Sequence, residues 1–266
     1  MSNEQTVSGG GLNRVEIGRA EGELEVLGWD EPHIRIVGLD DDEEDIPQLS
    51  PEGILRLDRL HDDVTISVPR NASLYVLSAK SDVTVRGLAG SVRLDAASGD
   101  VQIQDVGSML LGALSGDAQL ERCEGEVRLN AISGDLLARN LGSLELNGAI
   151  NGDSMVSDVV GEVNIKHAIN GDARFTNVGH VSVSAMRGDC VVSRAGSVVI
   201  GNLNGDLSVQ EIEGFCHVMN MHGDARIQRC NGIVTLDNLG GDLQAQDLRG
   251  GIATGNVTGD VRLDTP

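Results

Sequence analysis

A Gly-Asp dipeptide returns along this chain with its aspartate at positions 100, 117, 135, 153, 172, 189, 206, 224, 242 and 260, at separations of 17–19 residues. A second glycine falls between each pair, at Gly107, Gly125, Gly142, Gly161, Gly179, Gly196, Gly214, Gly232 and Gly250. The repeating unit is therefore a half-repeat of roughly nine residues. A unit this short cannot bury an apolar face by itself. Fixed-period similarity sustained over so many copies points to a stacked repeat architecture, in which each unit is completed by its neighbours.

Positions +2, +4 and +7 after each half-repeat glycine are apolar. They are Val127, Leu129 and Ile132 after Gly125, Val198, Ile200 and Leu203 after Gly196, and Leu207, Val209 and Ile212 after Gly205. Positions +3 and +5 are mostly polar. Alternation over +2 to +4 is the period of a strand with one buried face. The apolar +7 requires a bend before it, and the following glycine is expected to supply a turn with positive φ.

The same register extends upstream of the Gly-Asp signature. Ser81, Ala72, Asp62, Gly53, Pro32, Gly22 and Asn13 each lead a comparable apolar pattern. The predicted fold is all-β: a parallel β-solenoid with about 18 residues per coil, two short strands per coil and about 13 coils. Coils adjacent in sequence are expected to pair directly. Residues 1–12 read as a disordered N-terminal tail and residues 13–266 as a single solenoid domain. Residues 40–52 (DDDEEDIPQLSPE) break the alternation, carry two prolines and read as an acidic loop extruded from one corner. Aromatic residues make up 2% of the chain. A thin slot between two sheets explains this, since Val, Leu, Ile and Ala fill it and rings do not. Phe175 is the one aromatic at a core position from Ala72 onward.

Stacking turns equivalent residues into columns. Asn202, Asn220, Asn238 and Asn256 are spaced by 18 and are expected to form a ladder of stacked amides. Ser98, Ser115 and Ser133 form a similar column, continued approximately by Asn151, Asn170 and Asn204. The Gly-Asp aspartates form another, in which each carboxylate is expected to cap backbone N–H groups of its own turn. The alternative is a cation-binding edge made by Asp117, Asp135, Asp153, Asp172, Asp189, Asp206, Asp224 and Asp242, with calcium the natural occupant. Calcium-binding nonapeptide repeats space Gly and Asp more closely than this chain does.

Lys and Arg number 20 against 41 Asp and Glu, a net charge of −21. Nucleic-acid binding is not expected, because basic surface is needed to displace phosphate counterions. No apolar run approaches the roughly 18 residues of a membrane span, and no signal-peptide pattern opens the chain. Cys123, Cys190, Cys216 and Cys230 form no C-x-x-C pair. Their register points them inward as reduced thiols, which favours a cytoplasmic protein. The six histidines show no metalloprotease spacing, and no G-x-S-x-G nucleophile motif occurs. No catalytic residue, metal or cofactor is expected.

The stretch SGDVQIQDVGSMLLGALSGDAQLERCEGEVRLNAISGD, together with GELEVLGWDEPHIRIVG and ISVPRNASLYV upstream, resembles a bacterial adhesin-like β-solenoid family of unknown function, marked by repeated S/N-G-D-V turns. The resemblance spans about residues 12–266. It implies the solenoid fold and, since many members sit at the cell envelope, a surface location reached without a classical signal. It brings no catalytic residues.

Leu137 and Met155 occupy outward +3 positions in successive coils and form a candidate interaction patch. The last unit, with Val261 and Leu263, is expected to offer unpaired strand edges. These features predict a non-enzymatic structural or binding protein. It would act as a scaffold or protein-interaction module and associate with a protein partner or with itself, through solenoid ends or a sheet face. The alternatives are a cell-envelope adhesin and a polysaccharide-acting β-helix enzyme.

Overall fold

The +2/+4/+7 rule places Val127, Leu129 and Ile132 inside, and they are 0%, 0% and 1% exposed. The rule holds through Ala245 in a computed structural model that describes residues 4–7, 11–39 and 47–264, and fails in the last coil, where Val261 and Leu263 are exposed. All of its regular elements are β-strands, arranged as a parallel solenoid with about 18 residues between equivalent positions. The number of coils is close to that expected from the sequence. The chain divides into two compact units, Met1–Ser133 and Gly134–Pro266. Coils in a stack contact mainly their neighbours, so no one centre gathers the whole chain.

In the first unit the strands are β1 (Glu4–Val7), β2 (Arg14–Ala20), β3 (Leu24–Trp29), β4 (Ile34–Val37), β5 (Gln48–Leu49), β6 (Ile54–Leu60), β7 (Val64–Pro69), β8 (Ser73–Ala79), β9 (Val83–Arg86), β10 (Ser91–Ala97), β11 (Val101–Val106), β12 (Ser108–Leu114) and β13 (Ala118–Ile132). One ladder runs β6–β2–β8–β10–β12 and ends on the second half of β13. The other runs β7–β3–β9–β11 and ends on the first half of β13. The apolar residues of both ladders face inward between them.

Sequence-adjacent coils do not all pair. The first coil, residues 13–29, lies between the second and the third. Val15 pairs with Leu55 on one side and Leu74 on the other, and Leu24 pairs with Val64 and with Val83. Residues 13–29 make one rung, residues 53–69 make the terminal rung outside it, and residues 72–88 continue the stack on its inner side.

Residues 34–37, expected to form a further half-coil after Pro32, run antiparallel to β7 instead. The end of the supposed acidic loop likewise forms β5, antiparallel to β6, while residues 40–46 lie outside the described residues. Within the supposed tail, β1 pairs antiparallel with β4. These strands satisfy the backbone groups along the outer edge of the terminal rung, and antiparallel strands that cover an edge stop further parallel addition there.

In the second unit the strands are β14 (Leu136–Leu146), β15 (Ser154–Ile169), β16 (Ala173–Met186), β17 (Cys190–Asn204), β18 (Leu207–Ile212), β19 (Cys216–His222), β20 (Ala225–Cys230), β21 (Val234–Leu239), β22 (Leu243–Leu248), β23 (Ile252–Val257) and β24 (Val261–Asp264). First halves of β14–β17 continue as β18, β20, β22 and β24; second halves continue as β19, β21 and β23. Two one-residue insertions, both in β15 near 160 and 166, are absorbed as bulges. Phe175 is fully buried.

The glycines do not serve the purpose expected of them. Of the Gly-Asp glycines only Gly223 has positive φ. They are required because corners stack closely: a Cβ on Gly171 or Gly205 would lie 2.6 Å from the carbonyl carbon of the glycine one coil back. Positive φ sits six residues further on, at Asp105 and Arg122 in the first unit and at Asn140, Asp158, Asn177, Arg194, Glu211, Arg229 and Asp247 in the second, all with φ of 53–59°. This residue makes the bend that carries the chain from the strand to the buried +7 position.

Candidate functional site

The aspartate column occupies the corner that precedes β18, β20, β22 and β24. Each carboxylate reaches one coil onward rather than capping its own turn. Oδ1 of Asp135, Asp153, Asp172, Asp189, Asp206, Asp224 and Asp242 accepts the backbone N–H of the next aspartate in the column at 2.8 Å. In the first unit Asp82 and Asp100 do the same for Asp100 and Asp117 at 2.8 and 2.9 Å. Charged acceptors on backbone donors are strong hydrogen bonds, and they offset the repulsion of stacked like charges.

Alongside this corner runs an open groove of about 390 Å³, lined by Asp189, Asp206, Asp224, Asp242 and Asp260 and by the outward Arg226 and Arg262. Among the described residues no group of three or more His, Cys, Asp or Glu side chains is placed to hold a metal ion. The carboxylates of the proposed cation edge stand in single file, and one oxygen of each bonded member is committed to a backbone N–H.

The asparagine column is a ladder. Asn220 donates to Asn202 at 3.0 Å, Asn238 to Asn220 at 2.8 Å and Asn256 to Asn238 at 3.0 Å. Asn170 donates to Asn151 at 2.8 Å. Asn204 stands apart, in register with His222. Ser98, Ser115 and Ser133 stack through backbone N–H groups that donate to Ala79, Ala97 and Leu114.

Leu137 and Met155 are direct register partners. Met155 is exposed and Leu137 half-buried, but the patch is short: Arg174 is the next residue in register, and the Arg139 guanidinium lies 3.9 Å from the Met155 sulfur. Further exposed apolar residues, missed in the sequence, lie on the opposite ladder: Phe215 and Ile233 at equivalent positions in successive coils, and Met219 four residues along the strand from Phe215. Phe215, Met219 and Ile233 are 47%, 41% and 57% exposed. Phe215 and Ile233 each follow a half-repeat glycine, and in the coils just before them that +1 position is polar, with Glu162, His180 and Ser197 in register. His180 Nδ1 lies 2.6 Å from Ser197 Oγ, and its ring is 6.3 Å from that of Phe215. The signal was available as a ring and a branched aliphatic at a position where other coils carry polar residues.

Nearby, His217 Nε2 lies 3.0 Å from Asp237 Oδ2. All four cysteines are buried and free. Burial pushes the thiols of Cys123 and Cys190 up to about 12 and raises those of Cys216 and Cys230. They are core hydrophobes with little thiolate character.

The outward face of the first unit differs in character. Glu21 accepts from Arg59 at 2.7 Å and Lys80 at 3.0 Å and lies 3.4 Å from Arg19. The hydrogen bonds from Arg59 and Lys80 hold its carboxyl down at about 2. Tyr75 Oη donates to Asp95 at 2.8 Å, and Arg93 pairs with Asp95 at 2.7 Å. Here charges are consumed by partners on the same strand, as in Arg93–Asp95, and in neighbouring coils, as in Glu21 with Arg59 and Lys80.

No family model matches the sequence, and a search of the curated proteins returns no match. No helix among the described residues is long and apolar enough to cross a membrane.

Proposed function

We propose that this protein is a non-enzymatic scaffold or protein-interaction module that acts in the cytoplasm. The observation that carries this reading is the exposure of Phe215 and Ile233 in successive coils, at a position that Glu162, His180 and Ser197 fill in the coils before them. Exposed aromatic and aliphatic side chains side by side on a sheet face are what interface cores contain. The polar corners support the same reading, since their hydrogen-bonding groups are directed at adjacent coils. Buried, free thiols accord with a reducing compartment.

The test is a photo-crosslinking residue at Phe215 in the native host, with the same residue at Tyr75 as control. A discrete adduct from position 215 and none from 75 supports an interface on this face. No adduct from either position rejects it, and turnover of any glycan by the purified protein rejects the non-enzymatic part. The S/N-G-D-V turns favour a second reading, an envelope adhesin. Recovery of the native protein solely from the cell surface would establish that reading and remove the first.

A further inference from the structure

The rung at residues 13–29 is fitted to its place by contacts on both sides. β2 has parallel partners on both edges, β6 and β8, and β3 has β7 and β9. Gly18 and Gly22 lie so close to the backbone of Asp58 and Asp62 that a Cβ on either would collide with it; Gly28 makes the same approach to Gly87. The first two glycines serve the outer coil and the third serves the inner coil. Glu21 draws in Arg59 from the outer coil and Lys80 from the inner one. Between residues 53–69 and 72–88 the fold thus holds a slot bounded by two pairs of parallel strand edges, shaped for one coil of this sequence.

The way out of the slot is short. β3 and β4 flank β7 on opposite sides and run in opposite directions, so residues 30–33 must cross the end of β7 and reverse the chain. This crossing contains Pro32. It is held by Trp29 Nε1 donating to the His33 carbonyl at 2.9 Å, with the two rings 4.5 Å apart, and by Arg70 pairing with Asp30 at 2.6 Å. A short, reversing connection beside a complete structural element is the arrangement in which the element passes to a neighbouring copy. If residues 30–33 extend instead of reversing, the rung leaves its own slot together with β1 ahead of it, and fits an identical slot with the same hydrogen bonds and the same glycine contacts, β1 then pairing with the β4 of that second copy as it pairs with its own here.

We propose that residues 13–29 are an exchangeable rung, and that the partner this slot accepts is the same rung from a second copy of the chain, giving a reciprocally exchanged dimer. Exchange needs no new surface and is independent of the apolar cluster at Phe215. Each copy carries −21 charges, so long-range repulsion opposes the encounter and salt relieves it.

The test uses full-length protein carrying Arg14→Cys and Ser73→Cys, register partners across β2 and β8. It is unfolded, refolded over a range of protein and salt concentrations, oxidised, and examined on non-reducing gels. The native thiols are buried and do not compete. The expected result is a covalent dimer whose fraction rises with protein concentration and with salt. Inserting Gly-Ser between Glu31 and Pro32 should lower that fraction about tenfold, equivalent to about 1.4 kcal/mol, by relieving the crossing. Only intrachain disulfides at every concentration would overturn the proposal, as would dimers whose disulfides all lie within one chain. A second measurement avoids the cysteines. Isotopically heavy and light copies of the unaltered protein are refolded together or mixed after refolding. Mixed-mass dimers found only after joint refolding support exchange; their absence, or their equal appearance in both samples, refutes it.

Discussion

Gly240 and Gly241 are neighbours in sequence, yet stacking assigns them opposite tolerances for a methyl group. A Cβ on Gly240 would have its nearest contact at 3.4 Å, the Met221 oxygen, which is ordinary van der Waals distance. A Cβ on Gly241 would lie 2.6 Å from both the Gly223 carbonyl carbon and Asp224 Oδ1, and nearer still to the Gly223 oxygen. The Gly223 oxygen would be 2.3 Å away, so restoring ordinary contact at Gly241 opens the corner by about 1.1 Å against a strand spacing of about 4.8 Å. The bond most exposed to that opening is the 2.8 Å link from the Asp242 N–H to Asp224 Oδ1. Overpacking of this kind costs about 1–3 kcal/mol and a weakened hydrogen bond about 1 kcal/mol more. Replacing glycine also restricts the unfolded chain, which returns roughly 0.4–1 kcal/mol in both variants. Gly241→Ala should therefore destabilise by about 2 kcal/mol, and Gly240→Ala should be neutral or slightly stabilising. Urea unfolding followed by circular dichroism checks this, with unchanged slopes required before midpoints are converted to free energies. Equal midpoints for the two variants would refute the claim that close coil-to-coil approach, and not turn conformation, explains the Gly-Asp glycines.

Three further outcomes follow from the same geometry. Ser154 is 3% exposed and its Oγ has no hydrogen-bond partner, in a column where Leu136 and Ala173 are its register neighbours; Ser154→Ala should raise stability by about 1 kcal/mol in the same urea assay. The Glu21 carboxyl is lowered from 4.5 to about 2, so its contribution is complete above about 4.5 and declines as pH falls toward 2. The difference in Tm between the native protein and Glu21→Gln should be present at pH 6 and shrink across that range, and a pH-independent difference would contradict it. The cysteine thiols, raised by burial, should react with a disulfide reagent at the rate of global unfolding and not before it; fast labelling of native protein would place at least one outside the core.

Coil length, strand positions, the inward face and the asparagine ladder were legible in the sequence because each depends on a period, and a period survives without coordinates. The order of the first coils was not legible for the same reason. Leu55 and Leu74 present the same pattern to Val15, so the apolar register cannot say which neighbour a rung takes. Only residues such as Gly18, Gly28 and Glu21, which differ from coil to coil, distinguish the arrangements. The glycine expectation failed because glycine reads locally as a turn, whereas here its purpose lies in the adjacent coil. The positive-φ corner was hidden because Arg122, Arg194, Glu211 and Arg229 share the column with Asp and Asn, and only the latter two residue types favour a left-handed bend.

The occupation of that corner by polar residues has a physical reason. A non-glycine residue in the left-handed region carries a penalty of about 1–2 kcal/mol. Glycine would remove it, but at the expense of greater freedom in the unfolded chain and of the side chains themselves. Those side chains pair along the column: Arg122 with Asp105 at 2.6 Å in the first unit, and Asn177 with Asp158 at 2.7 Å and Arg229 with Glu211 at 2.8 Å in the second. Exposed ion pairs contribute little to stability, typically well under 1 kcal/mol each. Their value lies in discrimination. A slip of one coil leaves the aliphatic slot filled and the Gly-Asp corners matched, because those columns are nearly uniform. The positive-φ column is not uniform, and a slip there would set residues of unlike pairing against one another. Register in this solenoid is therefore specified at the corner that carries backbone strain, and the uniform columns that make the fold readable are the ones least able to specify it.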